Sequence, residues 1–419
     1  HAAPQPPSAA VDAGEAIVVG AGVGGAAAAL ALARLGVEVT VVERHADAAL
    51  ESSGNPAGLF HGTVIADDGP HARLHRAAAL QAQRDYGAAM AGGGVAGSVD
   101  GLLRLDRRGL AAMVALLQRQ GLPEAYVRAL DREQASRLAG VALPDAAWHY
   151  PGGGWIAPAT WVRRALAAPG IRWCGGRSVE ALARDGSRWV LRDAAGAVIA
   201  SAPLLVLAQG AAAARLLAPW GAAAWPLEHS RGQVSYGPGP GPGGGADTDT
   251  GVSTGTGTGT SALRLPVAGD GYAIPLRAGG LLCGATREPG EPGSAIEPTS
   301  AARRHNLDRL RTLTGIGLAD DAPGWQDRVG WRLHSADRLP IAGALPAPQA
   351  GDRLDQARLL RREAGLFVLT ALGARGLTLA PLLGRLVAAQ ATGTPWPLEQ
   401  DLADVVDPAR WLVRRARRG

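Results

Sequence analysis

The alternation of apolar and polar residues is clearest between residues 16 and 43. The apolar run AIVV at 16–19 leads into a Gly-rich turn, an Ala- and Leu-rich stretch continues as far as Gly36, and the run VEVTVVE ends at Glu43. Short apolar runs bounded by glycine predict strands, and the long Ala/Leu stretch between them predicts a helix. The pattern therefore predicts a strand–helix–strand unit near the start of the chain.

The rest of the chain alternates between helical and strand-like patterns. Residues 74–138 are predicted to be mostly helical, whereas 171–207 holds short alternating runs with Gly/Asp turns that predict strands and hairpins. Strand-like runs resume at 271–286, residues 300–315 are predicted to be helical, and 365–390 predicts a strand, a glycine turn and a helix. This mixture is typical of an α/β protein.

Composition sets the size of the molecule and excludes two kinds of chemistry. With 419 residues, 47% of them apolar, the chain is long enough for two domains or one interleaved pair. It contains no lysine, which excludes a lysine Schiff base to pyridoxal phosphate and the lysine of a P-loop. The net charge of +5 permits an anionic partner such as RNA, although a GC-rich genome that favours Arg codons would give the same excess.

The cysteine and histidine spacings do not predict a metal site. Cys174 and Cys283 lie far apart and outside any CxxC motif, so we expect neither a disulfide framework nor structural zinc. His71 and His75 have the i, i+4 spacing of some zinc sites, but no Glu lies between them and we expect solvated histidines.

The chain has no sequence signal for a membrane. No apolar run reaches the length of a membrane span, and the Ala/Pro-rich lead at 1–14 lacks a signal-peptide pattern and is typical of a linker. Together with the two isolated cysteines, this predicts a cytoplasmic protein without a membrane partner.

Residues 237–262 form a low-complexity segment, which predicts a disordered surface insertion. Within it, GVSTG at 251–255 has the letters of the GxSxG motif of serine hydrolases. That motif needs a strand before the serine and a helix after it, and neither is predicted here. We therefore expect no serine nucleophile.

The strongest motif is Gly20-x-Gly22-x-x-Gly25, directly after the first predicted strand. Gly20 allows a tight turn, Gly22 allows the backbone to approach a pyrophosphate, and Gly25 allows close packing of helix on strand. Glu43 ends the second strand, where a carboxylate accepts hydrogen bonds from ribose hydroxyls and repels a 2′-phosphate. The unit predicts a dinucleotide site that disfavours NADP, and by itself it suits NAD and FAD alike.

Two later segments bear on the choice between NAD and FAD. The loop SSGNPAG at 52–58 offers backbone N–H groups and small hydroxyls to a pyrophosphate or a flavin ring, although an ordinary turn has the same composition. The turn GARG at 373–376 opens a late helix, whose positive end would stabilise an anionic reduced flavin. Simple packing of a strand against a helix is the alternative for this turn.

Arg332 is the candidate for holding a substrate. It lies in the segment RVGWRLHSADRLPIAG at 328–343, and an arginine near a flavin can hold a carboxylate in a bidentate manner. The alternative is a surface ion pair with Asp337. The basic tail RRARR at 414–418 suits either a contact with RNA phosphates or a solvated end.

Taken together, these motifs resemble the FAD-dependent oxidoreductase module of the bifunctional tRNA 5-methylaminomethyl-2-thiouridine biosynthesis proteins, and more broadly the D-amino-acid oxidase and glycine oxidase flavoproteins. The resemblance extends over nearly the whole chain. The segments that carry it are AIVVGAGVGGAAAALALARLG (16–36), SSGNPAGLFH (52–61), YPGGGWIAP (150–158), VLAQG (206–210), RGQVS (231–235), GYAIP (271–275), GATREPG (284–290), RVGWRLHSADRLPIAG (328–343), LGARGLTLAPLLGRLVA (372–388) and DPARWLVRRARRG (407–419).

The resemblance implies an α/β fold in which an FAD-binding Rossmann-like domain of the D-amino-acid oxidase type is interleaved with an α+β substrate domain built on a mixed, largely antiparallel sheet. The implied division assigns the FAD-binding domain to three segments, the substrate domain to two, and the lead to a linker. These are 1–14 for the linker, 15–87, 158–225 and 326–419 for the FAD-binding domain, and 88–157 and 226–325 for the substrate domain, the last with the insertion at 237–262.

The resemblance also implies an activity on CH–NH groups. FAD would take a hydride from the glycyl carbon of a carboxymethylaminomethyl(-2-thio)uridine at the tRNA wobble position. Water would then release glyoxylate and leave the aminomethyl uridine, with dioxygen as the acceptor that reoxidises the flavin. Such a transfer depends on a neutral amine and good orientation more than on a protein base.

The site residues carried over from the resemblance fall into two groups. Arg332 would bind the substrate carboxylate. The residues implied to contact FAD are Gly20, Gly22, Gly25, Glu43, Arg44, Ser53, Gly54, Asn55, Gly58, Val179, Gly210, Gly373, Arg375, Gly376 and Leu377.

The chain departs from the bifunctional proteins at its start. Those proteins carry an S-adenosylmethionine-dependent methyltransferase before the oxidoreductase, whereas here only 19 residues precede Gly20. We therefore expect no methyl transfer by this chain, which is either part of a longer protein or acts beside a separate methyltransferase.

Three alternatives stay open at this point. The nearest is an FAD-dependent oxidase of glycine, sarcosine or D-amino acids. The others are an NAD dehydrogenase and a nucleotide-binding protein without turnover.

Overall fold

The computed structural model describes residues 14–239, 262–290, 297–350 and 354–418. Nearly all of the lead at 1–14 and of the predicted insertion at 237–262, including its GVSTG motif, lies outside these ranges.

The described residues form twenty-one strands. In chain order these are β1 Glu15–Val19, β2 Glu38–Val42, β3 Gly58–Phe60, β4 Gly97–Ser98, β5 Leu102–Asp106, β6 Arg128–Leu130, β7 Ala146–Tyr150, β8 Gly154–Ile156, β9 Ile171–Cys174, β10 Ala181–Asp185, β11 Arg188–Arg192, β12 Val198–Ala202, β13 Leu204–Leu207, β14 Leu227–Pro238, β15 Val267–Gly269, β16 Gly271–Pro275, β17 Gly280–Gly284, β18 Glu288–Pro289, β19 Gln326–Ser335, β20 Ile341–Pro346 and β21 Arg362–Thr370.

Ten α-helices and several single 3₁₀ turns connect the strands in the described part of the chain. The helices are α1 Val23–Arg34, α2 Pro70–Ala91, α3 Leu110–Gln120, α4 Arg132–Ala139, α5 Pro158–Leu166, α6 Ala211–Leu216, α7 Ser300–Thr314, α8 Gly376–Thr392, α9 Gln400–Val406 and α10 Arg410–Ala416. Two of the 3₁₀ turns, Ser52–Gly54 and Gly373–Arg375, border the site described below.

The first sheet has six strands in the order β20-β21-β13-β1-β2-β9. All of its pairs are parallel except β20 with β21. Because β1 is flanked by β2 on one side and β13 on the other, the chain leaves β1 at a reversal of strand order, which is where open α/β sheets bind ligands. The predicted nucleotide-binding unit is therefore β1, α1 and β2.

The second sheet follows the order β18-β14-β17-β16-β15-β5-β7-β6, with β19 paired to β14. All of its pairs are antiparallel except β5 with β15. This is the mixed, largely antiparallel sheet that the resemblance implied. It draws its strands from distant parts of the chain, so the two sheets are interleaved along the sequence.

The core between α1 and α8 depends on small residues. Gly25 packs so closely on β1 that an added Cβ would overlap the carbonyl oxygen of Gly20. On α8, an added Cβ at Gly384 would lie 2.6 Å from the main-chain carbon of Ala27. The Ala-rich composition therefore sets how closely these two helices and β1 approach one another.

One feature of the fold differs from the sequence-based expectation. Residues 74–138 are helical only in part, since β5 and β6 lie within them and join β7 in the second sheet. Pairing with distant strands decides these short segments, and local periodicity does not record it. The strand β19 pairs with β14 along its whole length and therefore belongs to the second sheet.

Gly384→Val tests the close approach of α8 to α1. The side chain has no room beside Ala27, so we expect a loss of about 1–3 kcal/mol in the free energy of unfolding, measured by denaturant titration. Gly87→Ala is the matched control, because Gly87 also lies within a helix but an added Cβ there would meet nothing within 4 Å. That control should stabilise slightly, and equal stability of Gly384→Val and wild type would contradict the packing argument.

Candidate active site

A large cavity lies where the first sheet meets the second. Its volume is about 1400 Å³, larger than the roughly 300–1,000 Å³ typical of sites for small ligands. It begins at the carboxyl ends of β1, β2 and β13 and extends to the second sheet at Arg104, Ala268 and Tyr272. The cavity therefore has room for a dinucleotide and for a second molecule.

The turn after β1 has the geometry of a pyrophosphate cradle. Gly20 has a φ of +101°, and an added Cβ would lie 2.9 Å from the backbone of Ala208. At Gly22, which precedes α1, a Cβ would lie 3.0 Å from Ser53 Oγ. The start of α1 thus exposes backbone N–H groups, with no side chain of Gly22 in front of them.

Glu43 and Ser53 complete this cradle. The N–H of Ala21 donates to Glu43 Oε2 at 2.7 Å, and the N–H of His45 donates to Glu43 Oε1 at 3.0 Å. The N–H of Val23 donates to Ser53 Oγ at 3.0 Å. The carboxylate is held across the glycine turn, where it can accept ribose hydroxyls, and the residues present therefore fit the ADP half of FAD.

Most of the sequence-predicted cofactor residues line this one cavity. These are Gly20, Gly22, Glu43, Arg44, Ser53, Asn55, Gly58, Val179, Gly210, Gly373, Arg375, Gly376 and Leu377. Two predicted residues do not line it. Gly25 packs on the main chain of Gly20, and Gly54 faces the guanidinium of Arg328, which donates to Leu50 O at 2.6 Å.

The late turn comes close to the loop that follows Ser53. An added Cβ at Gly58 would clash with Leu377, and one at Gly373, whose φ is +56°, would lie 2.6 Å from His334 Nδ1. The turn leads directly into α8, whose N-terminus therefore lies at the cavity. This is the position from which a helix dipole would stabilise negative charge on a bound ring.

Arg332 also lines the cavity, and no described carboxylate pairs with it. It lies on β19, and its Nη1 donates to Thr286 O at 3.2 Å. Asp337, the alternative partner, binds Arg410 at 3.0 Å and Arg414 at 2.7 Å instead. Since Arg410 Nη2 also donates to Leu339 O at 3.0 Å, this carboxylate belongs to the packing of the C-terminal helix.

The charges around the cavity are distributed unevenly. Among the described residues, seven arginines line it, against three carboxylates, Glu43, Glu51 and Glu180. Glu51 pairs with Arg44, and Glu180 pairs with Arg215 at 2.7 Å. The part beyond the nucleotide cradle, with Arg104, Arg287, Arg332 and Arg375, therefore favours an anionic ligand.

His61, Arg104 and Tyr272 line the cavity but were not among the sequence-predicted residues. His61 ends the segment SSGNPAGLFH and Tyr272 lies in GYAIP, two segments that carried the family resemblance. Those motifs were the available signal for these two residues. Arg104 lies on β5, within the segment predicted to be mostly helical, and no motif marks it.

Of the two histidines spaced i, i+4, His75 differs from the expectation. His75 is 2% exposed, and its ring stacks on that of His71 with centroids 4.3 Å apart. Burial and the neighbouring His71 lower the pKa of His75 to about 4, so the expectation of two solvated histidines is wrong for this one. Within the ranges described, no cluster of side chains is suited to hold a metal ion.

Cys174 and Cys283 are both free thiols. Burial raises the pKa of Cys283 to about 12, which makes its thiolate unavailable at neutral pH. A search of the described residues finds no helix both long enough and apolar enough to cross a membrane.

The fold and cavity define a class of protein, and comparison with known families identifies it. The profile of the FAD dependent oxidoreductase family, DAO, matches residues 15–390. The chain belongs to this family, and its cofactor is FAD. It is therefore an oxidoreductase, and the readings as an NAD dehydrogenase or a protein without turnover are set aside.

Among curated proteins, the similar sequences share one name. A tRNA 5-methylaminomethyl-2-thiouridine biosynthesis bifunctional protein MnmC from Methylibium petroleiphilum is 44% identical over 414 residues, which cover 96% of this chain and 61% of that protein. Its namesake from Burkholderia thailandensis is 39% identical and covers 99% of this chain and 62% of the relative. The chain thus spans about three fifths of the length of these relatives.

Solved structures show the same fold at lower identity. Glycine oxidase from Geobacillus kaustophilus superposes with a TM-score of 0.70 at 23% identity, covering 92% of this chain and 96% of the oxidase. Iminodiacetate oxidase from Chelativorans sp. gives a TM-score of 0.65 at 25% identity, covering 92% and 97%. The predicted Rossmann-like fold with a largely antiparallel second sheet is confirmed.

Gly22→Val tests the pyrophosphate cradle. The branched side chain would lie between the start of α1 and Ser53, so we expect purified protein without bound flavin, read from its visible absorbance. Gly87→Ala, far from the cradle in sequence and open to solvent on α2, should keep its flavin. Circular dichroism should show a folded Gly22→Val protein, and a yellow variant would contradict this placement of the cofactor.

Asp337→Asn tests the ion pairs that Asp337 forms with Arg410 and Arg414 and not with Arg332. Hydrogen bonds and charge from Arg410 and Arg414 outweigh burial and lower the pKa of Asp337 well below its usual range. Because the native pKa is depressed, this stabilisation is present above the unfolded pKa of about 3.9 and is lost as the pH falls below it. We expect Asp337→Asn to lose about 2–3 kcal/mol at pH 7 and the difference from wild type to shrink in acid. A difference that stays constant down to acid pH would refute this account.

Proposed function

We propose that this chain oxidatively removes the carboxymethyl group from carboxymethylaminomethyl(-2-thio)uridine at the wobble position of tRNA. The products would be glyoxylate and the aminomethyl uridine. The observation that carries the proposal is Arg332, a cavity-lining guanidinium without a described carboxylate partner in the same cavity as the FAD cradle. The names of the 44% and 39% identical relatives support tRNA as the substrate.

Arg332 would bind the carboxylate of the substrate. The side chain is half-buried on β19, and its contact with Thr286 O leaves most of its five N–H donors available. Tyr272 lies on the same sheet and lines the cavity, close enough that Arg332 acts on its pKa, although burial keeps that pKa above its usual value. A carboxylate bound by the guanidinium would therefore lie beside a protonated phenol that can donate a second hydrogen bond.

When bound, FAD supplies the chemistry by accepting a hydride from the carbon between the carboxylate and the amine. The residues of this chain orient that carbon and contribute no described carboxylate to it. The three carboxylates that line the cavity are Glu43, Glu51 and Glu180, which lie at the nucleotide end or in ion pairs. We therefore infer that the substrate binds with its amine uncharged. The residues around the amine position the substrate, and none of them acts as a base.

The reaction would involve two partners, an electron acceptor and a methyltransferase. Dioxygen would be the acceptor that regenerates oxidised flavin. The MnmC relative from Methylibium petroleiphilum is named a bifunctional protein, and an S-adenosylmethionine-dependent methyltransferase domain, fused or separate, would act on the product. A small-molecule amino-acid oxidase is the second candidate, favoured by the glycine oxidase fold.

Arg332→Ala tests the proposed carboxylate contact. With the guanidinium gone, we expect kcat/KM for tRNA bearing the modified uridine to fall by about a hundredfold or more while the flavin stays bound. Glyoxylate release and mass spectrometry of the nucleosides measure this. Arg338→Ala is the matched control, since Arg338 is exposed on the same segment and does not line the cavity.

The choice of substrate separates the two candidate functions. Wild-type enzyme should act on the modified tRNA far faster than on free glycine or sarcosine. Faster turnover of the free amino acids would favour the small-molecule oxidase, and unchanged turnover in Arg332→Ala would remove Arg332 from the proposed role.

A further inference from the structure

Arg104 and Arg375 line the same cavity, and no described carboxylate pairs with either of them. Arg104 comes from β5 of the second sheet, and Arg375 comes from the turn Gly373–Arg375 that precedes α8. Burial, and next the charge of Arg104, lower the pKa of Arg375 to about 10. The guanidinium of Arg375 therefore remains charged at neutral pH, and the charge of Arg104 repels it.

His61 holds the guanidinium of Arg375 in place. Arg375 Nη1 lies 2.8 Å from His61 Nε2, and His61 Nδ1 lies 2.5 Å from Gly62 O. His61 is 2% exposed, and burial together with Arg375 and Arg104 keeps its pKa well below the usual value. The ring is therefore neutral, donates through Nδ1 and accepts from Arg375 through Nε2. The guanidinium of Arg375 is thus held at the ring of His61, which lies beside Tyr150 at the end of β7 in the second sheet.

The described surroundings of Arg104 and Arg375 offer a hydrogen-bond donor, and no unpaired carboxylate is found among them. Tyr150 is 2% exposed, its ring centroid lies 5.3 Å from that of His61, and its hydroxyl has no hydrogen-bond partner among the described residues. Asp106 lies two residues from Arg104 on β5, but it accepts from Arg108 at 2.9 Å and from the indole of Trp148 at 2.8 Å. For Arg104 the described part of the chain provides no hydrogen bond or ion pair.

Two half-buried guanidinium groups that have no carboxylate partner among the described residues repel one another, and a negatively charged ligand between them offsets that repulsion. Paired guanidinium groups are suited to carboxylate and phosphate oxygens, which they bind through parallel N–H donors. Resting on the proposed function, which assigns the glycyl carboxylate to Arg332, we propose that Arg104 and Arg375 form a second subsite that binds another oxyanion of the substrate. The second subsite therefore selects substrates that carry a further oxyanion outside the carboxymethylamino group.

Two kinds of substrate carry such an oxyanion. In tRNA it is the phosphodiester next to the wobble nucleoside. In a small amine it is a second carboxylate. The free modified nucleoside and sarcosine each lack this group, so both serve as substrates that fill only the Arg332 site.

Arg104→Gln in the FAD-loaded enzyme is the primary test, because Arg104 has no structural partner to lose. We expect the KM for an anticodon stem-loop bearing the modified uridine to rise by about tenfold or more, since a charge-assisted contact is lost. The KM for the free modified nucleoside and for sarcosine should change less than twofold. Arg107→Gln is the matched control, because Arg107 is 86% exposed just after β5 and does not line the cavity.

The panel of substrates identifies the source of the oxyanion. A selective rise in KM for the stem-loop identifies the phosphodiester, and a selective rise for iminodiacetate identifies a second carboxylate. Either result supports the subsite. Equal changes for all substrates, or none for any, would overturn it. Arg375→Gln should reproduce the effect of Arg104→Gln if it retains FAD, and a normal KM for the stem-loop in that variant would also overturn the proposal.

Calorimetric titration with inorganic phosphate tests the second subsite without turnover. Phosphate should bind the wild-type holoenzyme, bind about tenfold more weakly to Arg104→Gln, and bind Arg332→Gln as it binds wild type. If no tRNA turnover occurs but this pattern holds, the proposed function fails and the second subsite stands. Phosphate binding that is absent, or that Arg104→Gln leaves unchanged, would refute the subsite even if tRNA turnover is confirmed.

Discussion

The contact on which the site depends is the packing of α1 against β1 without intervening side chains. Gly25 touches the main chain of Gly20, and Gly20 in turn approaches the backbone of Ala208 at the end of β13. Because the helix packs so closely, the N-terminus of α1 lies at the cavity beyond the ends of the strands. Backbone N–H groups at a helix N-terminus attract phosphate oxygens. Glu43 and Ser53 are hydrogen-bonded to the same turn, so the cradle and its ribose acceptor are positioned together.

The second sheet turns a nucleotide site into an enzyme site. It places Arg104, Tyr272 and Arg332 in the same cavity as the glycine turn, although these residues lie on three strands far apart in the chain. Carboxylates are concentrated at the nucleotide end and in ion pairs, which leaves the other end positive. On that charge distribution rests our proposal of an acidic substrate and of a reaction that relies on orientation.

The sequence predicted some of these features well and others poorly. The strand–helix–strand unit and the late turn before α8 depend on local rules that glycine spacing and apolar runs record directly. The helical prediction for 74–138 missed β5 and β6, because those strands exist only through pairing with β7 and β15. With β5 the prediction also missed Arg104, since no local pattern shows that a residue of this strand lines a cavity formed with distant segments.

By itself, therefore, the sequence determined the nucleotide-binding turn, the absence of lysine chemistry and the resemblance to flavin oxidoreductases, because each depends on residue type or on spacing within one segment. Only the tertiary structure decided which arginines are neutralised. Asp337 follows Arg332 closely in sequence, yet it binds Arg410 and Arg414, which leaves Arg332 available in the cavity. Arg104 and Arg375 are likewise adjacent only after folding, since a charge finds its neighbours through space and not along the chain.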